Sequence, residues 1–242
     1  MRNYKEEFDN RVAFIQKLLS ESGARGIIYG NSGGKDSALV GILCKAACKN
    51  TVGIIMPCNS KRNFTTDKDD GMEVAQQFDI ETRVIDLTDQ RELAVKNLET
   101  ITLANQSAIS NIAPRLRMIT LYAVAASENR MVAGTGNRSE RYMGYFTKWG
   151  DGACDFNPIS DLTATEIFEF LRYLNAPSSI IEKAPSAGLY EGQTDEEDMG
   201  VTYRAIDQYI KTGKADANDL EIIERYHKRS EHKRTGTFFY SE

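Results

Sequence analysis

Proline, histidine and tryptophan are scarce in this 242-residue chain, with five, two and one copies respectively. Together with only 18 glycines, that excludes a collagen-like or low-complexity chain. The four cysteines, Cys44, Cys48, Cys58 and Cys154, include no Cys-x-x-Cys pair, and only His227 and His232 stand beside them as possible metal ligands. That pattern is neither a disulfide scaffold nor a zinc site. Cys44 and Cys48 lie one helical turn apart and read as small apolar packing groups. No stretch approaches the roughly 18 consecutive apolar residues of a membrane span. The N-terminus, with Arg2, Lys5, Glu6 and Glu7, lacks the apolar core of a secretion signal. A soluble, reducing, cytoplasmic setting is therefore expected. Excess positive charge is missing too: the net charge is -5 and the pI about 5.3, which argues against a general nucleic-acid binder but leaves room for a local basic pocket. At 41% hydrophobic, the chain is too apolar for disorder and long enough to bury a sizeable core.

Hydrophobic spacing organises what is present. Phe8, Val12, Ile15 and Leu19 form one face of a helix that Ser22 and Gly23 end. A short apolar run at 26–30 reads as a buried strand, 38–49 as a buried helix and 51–56 as a second strand stopped by Pro57. A polar helix over 67–78, a strand over 82–87, helices over 91–100 and 111–129 and a strand over 131–134 continue the alternation. Strands separated by helices imply βαβ units, so the expected fold is α/β, a doubly wound and mainly parallel sheet flanked by helices. The C-terminal third reads as helical, over 164–174, 201–210 and 217–232. Residues 185–200 are polar and glycine-bearing, and two readings stand equally: a lid over a site, or a solvated connector.

The sharpest local signal is Gly30-Asn31-Ser32-Gly33-Gly34-Lys35-Asp36-Ser37, between the first strand and the helix after it. Phosphate oxygens need convergent N–H donors, and a helix N-terminus supplies them along with a favourable dipole. Glycines let the backbone approach closely, and Ser32 and Ser37 add hydroxyls. The spacing departs from a Walker A loop, because three residues separate Gly30 from Gly34 and Asp36 follows Lys35. A carboxylate beside polyphosphate calls for a cation between them, and Mg²⁺ suits one or two carboxylates plus phosphate oxygens. The plain alternative, that Ser32 or Asp36 only caps a helix, accounts for one such residue and not for all of them.

This loop resembles the Ser-Gly-Gly-x-Asp-Ser signature of the N-type ATP pyrophosphatases, which split ATP between its α- and β-phosphates to adenylate an acceptor. Further blocks narrow the resemblance. They are Asn111 to Met118, Gly134-Thr135-Gly136-Asn137-Arg138-Ser139-Glu140, Gly144 to Gly152, Asp155-Phe156-Asn157-Pro158, Lys183 to Leu189, Gln193-Thr194-Asp195-Glu196 and Glu231-His232-Lys233-Arg234. In this order the chain is similar to the NAD synthetase family over most of its length. The resemblance implies an adenine nucleotide alpha hydrolase-like fold in a single synthetase domain over 1–242, without a glutaminase domain. It also implies amidation of deamido-NAD by ammonia, with ATP converted to AMP and pyrophosphate.

Position by position, the resemblance gives ATP the loop from Gly30 to Ser37, with Thr135 and Ser186. Asp36 and Glu140 would hold Mg²⁺. Arg115, Lys148, Asp155, His232 and Lys233 would line the deamido-NAD pocket. Asp36, Lys148 and Asp151 would take the catalytic roles, Asp151 as a holder of ammonium. A homodimer is expected, with no nucleic-acid or membrane partner. Met118, Leu121 and Val124 are either interface or core. Two departures stand out: Asn31 follows the first loop glycine, and Ala164 occupies a position where relatives often carry an ATP-contacting lysine. Two readings compete: an ATP pyrophosphatase that adenylates tRNA or another acid, and an ATP-binding sensor without turnover.

Overall fold

The computed structural model describes residues 2–58, 60–183, 185–186 and 194–240. Four strands, β1 (Gly26–Gly30), β2 (Thr51–Ile55), β3 (Glu81–Val84) and β4 (Arg130–Ala133), form one sheet in the order β3-β2-β1-β4. Every pairing is parallel, with Ile28 opposite both Val52 and Val132. The chain builds outward from β1 through β2 to β3, then returns to place β4 on the other side of β1. The order therefore reverses between β1 and β4, and a crevice opens beyond the carboxyl ends of those two strands.

The helices up to β4 are α1 (Tyr4–Ser22), α2 (Lys35–Ala47), α3 (Lys61–Phe64), α4 (Thr66–Gln77), α5 (Thr88–Glu99), α6 (Gln106–Ser110) and α7 (Ile112–Glu128). Those after it are α8 (Arg138–Met143), α9 (Ala164–Tyr173), α10 (Ser178–Ile181), α11 (Asp195–Met199), α12 (Tyr203–Thr212), α13 (Ala217–Arg229) and α14 (Glu231–Arg234).

Side chains alternate across a strand, and β1 uses both faces. Ile27 and Tyr29 point into a core shared with α1, α2 and α9, while Ile28 joins Val52, Ile54 and Val132 beneath α7. That gives helices on both faces of the sheet. Helix α2 is buried from Ala38 to Cys44 because it lies between the sheet and α1 and α9. Gly41 permits this approach, since a Cβ there would stand 2.3 Å from the Tyr29 hydroxyl. A third core of Met143, Ala164, Met199, Tyr203, Ile206 and Ile223 joins α8, α9, α11, α12 and α13.

The principal strands and long helices fall where the hydrophobic pattern places them. Helix α2 starts earlier than expected, at Lys35, and β3 ends at Val84 instead of reaching Leu87. The expected 217–232 helix breaks at Ser230, whose hydroxyl turns back onto the Tyr226 carbonyl at 2.7 Å. Leu121 and Val124 are partly buried and pack against the core beneath α7. Of the expected lid, residues 187–193 lie outside the described residues, whereas Asp195–Met199 is helical, with the Thr194 side chain accepting from Glu197 N–H.

The N-terminal helix is clamped to α9 and α12 through charge. The Tyr4 ring lies tilted against Phe170, centroids 5.0 Å apart, and Arg2 and Lys211 both reach Glu166 Oε1, at 3.2 and 3.1 Å. Burial alone would push the Glu166 carboxyl up, but the Thr163 N–H and the two cations outweigh it and hold it at about 2. A carboxyl depressed on folding contributes stability that is present above its unfolded value of 4.5 and is lost as pH falls toward 2. Glu166→Gln should remove that part of the acid sensitivity. Thermal melts of the two proteins, apart at neutral pH, should then converge as the wild type is acidified; a constant gap would contradict this.

Candidate active site

The loop after β1 is shaped by one glycine. Gly33 takes φ +69°, and a Cβ there would lie 1.9 Å from the Asp67 carbonyl oxygen, so only glycine fits without moving α4. Asn31 braces the turn: its backbone N–H reaches the Ile54 carbonyl at 2.8 Å and its side chain donates to Gly71 at 2.9 Å. The departure at position 31 is thus a buried structural bracket, not a surface polar group. Gly34 is the N-cap of α2 and has no side chain to satisfy the first amides of the helix. Ser32 Oγ pairs with Ser37 Oγ at 3.1 Å, and Ser37 Oγ donates to the Gly34 carbonyl at 3.0 Å. The helix N-terminus stays uncapped and faces the crevice, as an anion site requires.

Helix α8 begins on the opposite wall, directly after β4. Asn137, fully buried, is its N-cap: its Oδ1 accepts from Glu140 N–H at 3.0 Å, and its own N–H donates to Glu140 Oε2 at 3.0 Å. This reciprocal capping box fixes the Glu140 carboxylate. The remaining donor of the same amide, Asn137 Nδ2, reaches Asp36 Oδ1 at 3.0 Å. One side chain therefore ties the start of α2 to the start of α8 and brings two acids together across the switch point. Enclosure in the protein and the charge of Asp36 raise the Glu140 carboxyl well above the usual carboxylate range. Two hard oxygen donors that repel one another fit a divalent cation. Among the described residues no group of three or more acidic, histidine or cysteine side chains is placed to hold a metal ion.

A cavity of about 770 Å³ opens between these walls. Gly30, Asn31, Ser32, Gly34, Lys35, Asp36 and Ser37 line it, and so do Thr135, Glu140, Asp151, Ser186, His232 and Lys233. Asp151 Oδ1 accepts from Thr147 N–H at 2.8 Å. Lys233 Nζ donates to the Gly144 and Phe146 carbonyls at 2.7 and 2.6 Å, and burial draws its ammonium below the ordinary lysine value.

Arg115, Lys148 and Asp155 stand outside that lining. Arg115 donates to the Lys148 carbonyl at 3.3 Å, and Lys148 Nζ to the His232 carbonyl at 2.5 Å, so the first two sit on the rim behind the C-terminal turn. Asp155 accepts from Val132 N–H at 2.7 Å and from the Tyr122 hydroxyl at 3.2 Å, which places it against α7. Ala164 is buried in the third core with its N–H on Ser139 Oγ at 3.0 Å, away from the role of a phosphate-directed cation.

Three residues of the quoted blocks, Lys183, Arg117 and Asn137, receive no role from the sequence. Lys183 Nζ reaches the Gly33 carbonyl at 3.1 Å, Asp67 at 2.7 Å and Asp70 at 2.6 Å, tying the phosphate loop to α4. Arg117 Nε donates to the Met56 carbonyl at 3.1 Å, and both residues line the cavity. Asn137 carried a legible signal, the Asn-x-x-Glu spacing of a capping box; the Lys183 contacts, more than 110 residues apart in sequence, carried none.

Comparison with known proteins agrees with this architecture. The family profile described as NAD synthase matches residues 7–237. The NH(3)-dependent NAD(+) synthetase of Carboxydothermus hydrogenoformans is 45% identical over 235 residues, covering 96% of each chain. Among solved structures, one described as NMN synthetase from Francisella tularensis superposes with a TM-score of 0.94 at 36% identity, over all of both chains. The NH3-dependent NAD synthetase of Campylobacter jejuni does so with a TM-score of 0.82 at 27% identity, also over all of both. A parallel sheet with a glycine-rich loop at its switch point, in a chain that the profile matches over nearly its whole length, makes this protein a member of the NAD synthase family.

Proposed function

We propose that this chain is an ATP-dependent synthetase that amidates the nicotinate carboxylate of deamido-NAD with ammonia, giving NAD, AMP and pyrophosphate. The observation that carries the reading is the uncapped N-terminus of α2 facing the Asp36–Asn137–Glu140 linkage inside one cavity.

The chemistry needs no protein nucleophile. A nicotinate oxygen attacks the α-phosphorus of ATP, the bridging P–O bond to the β-phosphate breaks, and pyrophosphate leaves. Ammonia then attacks the activated acyl carbon, the C–O bond to the phosphate breaks, and AMP departs with the oxygen that attacked phosphorus, while the amide keeps the other oxygen and ammonia gives up a proton. The amides of Lys35, Asp36 and Ser37, with the Ser32 and Ser37 hydroxyls, would receive the phosphates, and Thr135 and Ser186 would complete the ATP site. Mg²⁺, held by Asp36 and Glu140, would neutralise charge on those phosphates. Asp151 lies on the wall near Lys233 and is positioned to hold ammonium before attack. His232 and Lys233 would meet the acceptor nucleotide from the C-terminal side. Positioning two polyanions is the enzyme's main work, which explains local cations in a net acidic chain.

Arg115, Lys148 and Asp155 add to this pocket only if a second surface adjoins the rim. We read that surface as a second copy of the chain. Helix α5 packs on α7, and outward on this side stand Leu93, Ile101, Leu103 and Ile119, which are 59%, 81%, 101% and 57% exposed. On this reading the chain is one synthetase domain over 1–242 that uses free ammonia in the cytoplasm. No helix among the described residues is long and apolar enough to cross a membrane.

A second acceptor is favoured by one specific finding, the TM-score of 0.94 with a chain described as NMN synthetase. Nicotinate mononucleotide, the smaller acceptor, would need the cavity alone and none of Arg115, Lys148 and Asp155. Incubation with ATP, Mg²⁺, ammonium and deamido-NAD should yield NAD, AMP and pyrophosphate in equal amounts; ADP with orthophosphate would refute the assignment. Paired kcat/KM values for deamido-NAD and nicotinate mononucleotide then decide the acceptor. The primary reading expects the dinucleotide to be preferred, and a preference for the mononucleotide would replace it.

A further inference from the structure

Lys35 opens α2, and its side chain is only 5% exposed. Its Nζ lies 2.6 Å from Asp36 Oδ2, with the Tyr203 ring at 5.2 Å and the Phe168 ring at 5.8 Å. Glu140 and Asp195 act on the same ammonium, and the Tyr203 hydroxyl donates to Asp195 Oδ2 at 3.0 Å. The other oxygen of Asp36 accepts from Asn137 Nδ2. Both oxygens of the carboxylate are thus already engaged, and the cation in contact with it is the lysine.

Phosphate binding does not require this arrangement, because backbone amides and two hydroxyls already face the cavity. Burying an ammonium is costly unless it is paired. What it offsets is equally costly: carboxylates held within reach of one another in a partly enclosed site. A neutral side chain at this position would leave that repulsion uncompensated.

We infer that Lys35 is the resident counter-cation of the Asp36–Glu140 pair and makes divalent-metal binding conditional on the nucleotide. Without ATP, a metal approaching Asp36 must displace the ammonium toward two aromatic rings, a weaker partner than a carboxylate. With ATP, phosphate oxygens in the same cavity offer the ammonium new acceptors and release the carboxylate. Linkage makes the effect reciprocal, so nucleotide and metal each raise the affinity for the other. The inference rests on the reading of Asp36 and Glu140 as the metal pair.

The test is Mn²⁺ binding to the nucleotide-free protein, followed by electron paramagnetic resonance, for wild type and Lys35→Met, which keeps length and burial but drops the charge. The variant should bind Mn²⁺ about tenfold more tightly than wild type. Mg²⁺ alone should raise its melting temperature more than it raises that of wild type. Adding Asp36→Asn to Lys35→Met should cancel the gain. Equal Mn²⁺ affinity in wild type and Lys35→Met overturns the inference. If Lys35→Met does not fold without metal, Mg²⁺ should restore the fold; failure to do so, together with wild-type affinity in Lys35→Gln, overturns it equally. A separate arm measures Mn²⁺ bound together with ATP. Loss of that signal in Asp36→Asn and Glu140→Gln upholds the metal pair whatever Lys35 does, and its retention in both rejects the pair itself.

Discussion

The buried amide of Asn137 is the constraint on which the site depends. It spends its carbonyl on the cap of α8 and one N–H on Asp36 at the start of α2. Those two helices follow β1 and β4, the adjacent parallel strands between which the strand order reverses. A parallel sheet makes a crevice at that point in many folds. Here one side chain sets how far apart its two walls stand, and therefore how far apart two acids stand. Because Asn137 has no exposure, water does not compete for its hydrogen bonds.

Around that bridge the fold supplies anion recognition and charge balance by separate means. The anion recognition we propose would belong to backbone: an uncapped helix N-terminus and a glycine with positive φ pressed against Asp67. Charge balance belongs to side chains: Lys35 on its sequence neighbour Asp36, and Lys183, from a distant segment, on Asp67 and Asp70. Such ion pairs in poorly hydrated surroundings hold geometry more than they add net stability. That fits a site that must exchange internal partners for those of its substrates.

The parts of this arrangement that are local in sequence are legible there. β1, the loop from Gly30 to Ser37 and the start of α2 are contiguous, so residue type and order reveal both the turn and its affinity for phosphate. The Glu140 position follows from the block in which it lies. Long-range contacts are not legible in the same way: Lys183 meets Gly33 across 150 residues, and nothing in either segment announces the other. Short helices such as α3, α6 and α10 offer too few turns for a hydrophobic period to show. Arg115, Lys148 and Asp155 illustrate the opposite limit. Motif order groups them with the substrate pocket, whereas the fold sets them on its rim and against α7.

The central claim is that this crevice hands the α-phosphate of ATP to a carboxylate. The most direct measurement uses deamido-NAD labelled with ¹⁸O in its nicotinate carboxylate, with mass analysis of the products. Adenylation through the carboxylate predicts one labelled oxygen in the phosphate of AMP for each NAD formed. Label confined to water or orthophosphate, with AMP unlabelled, would contradict it.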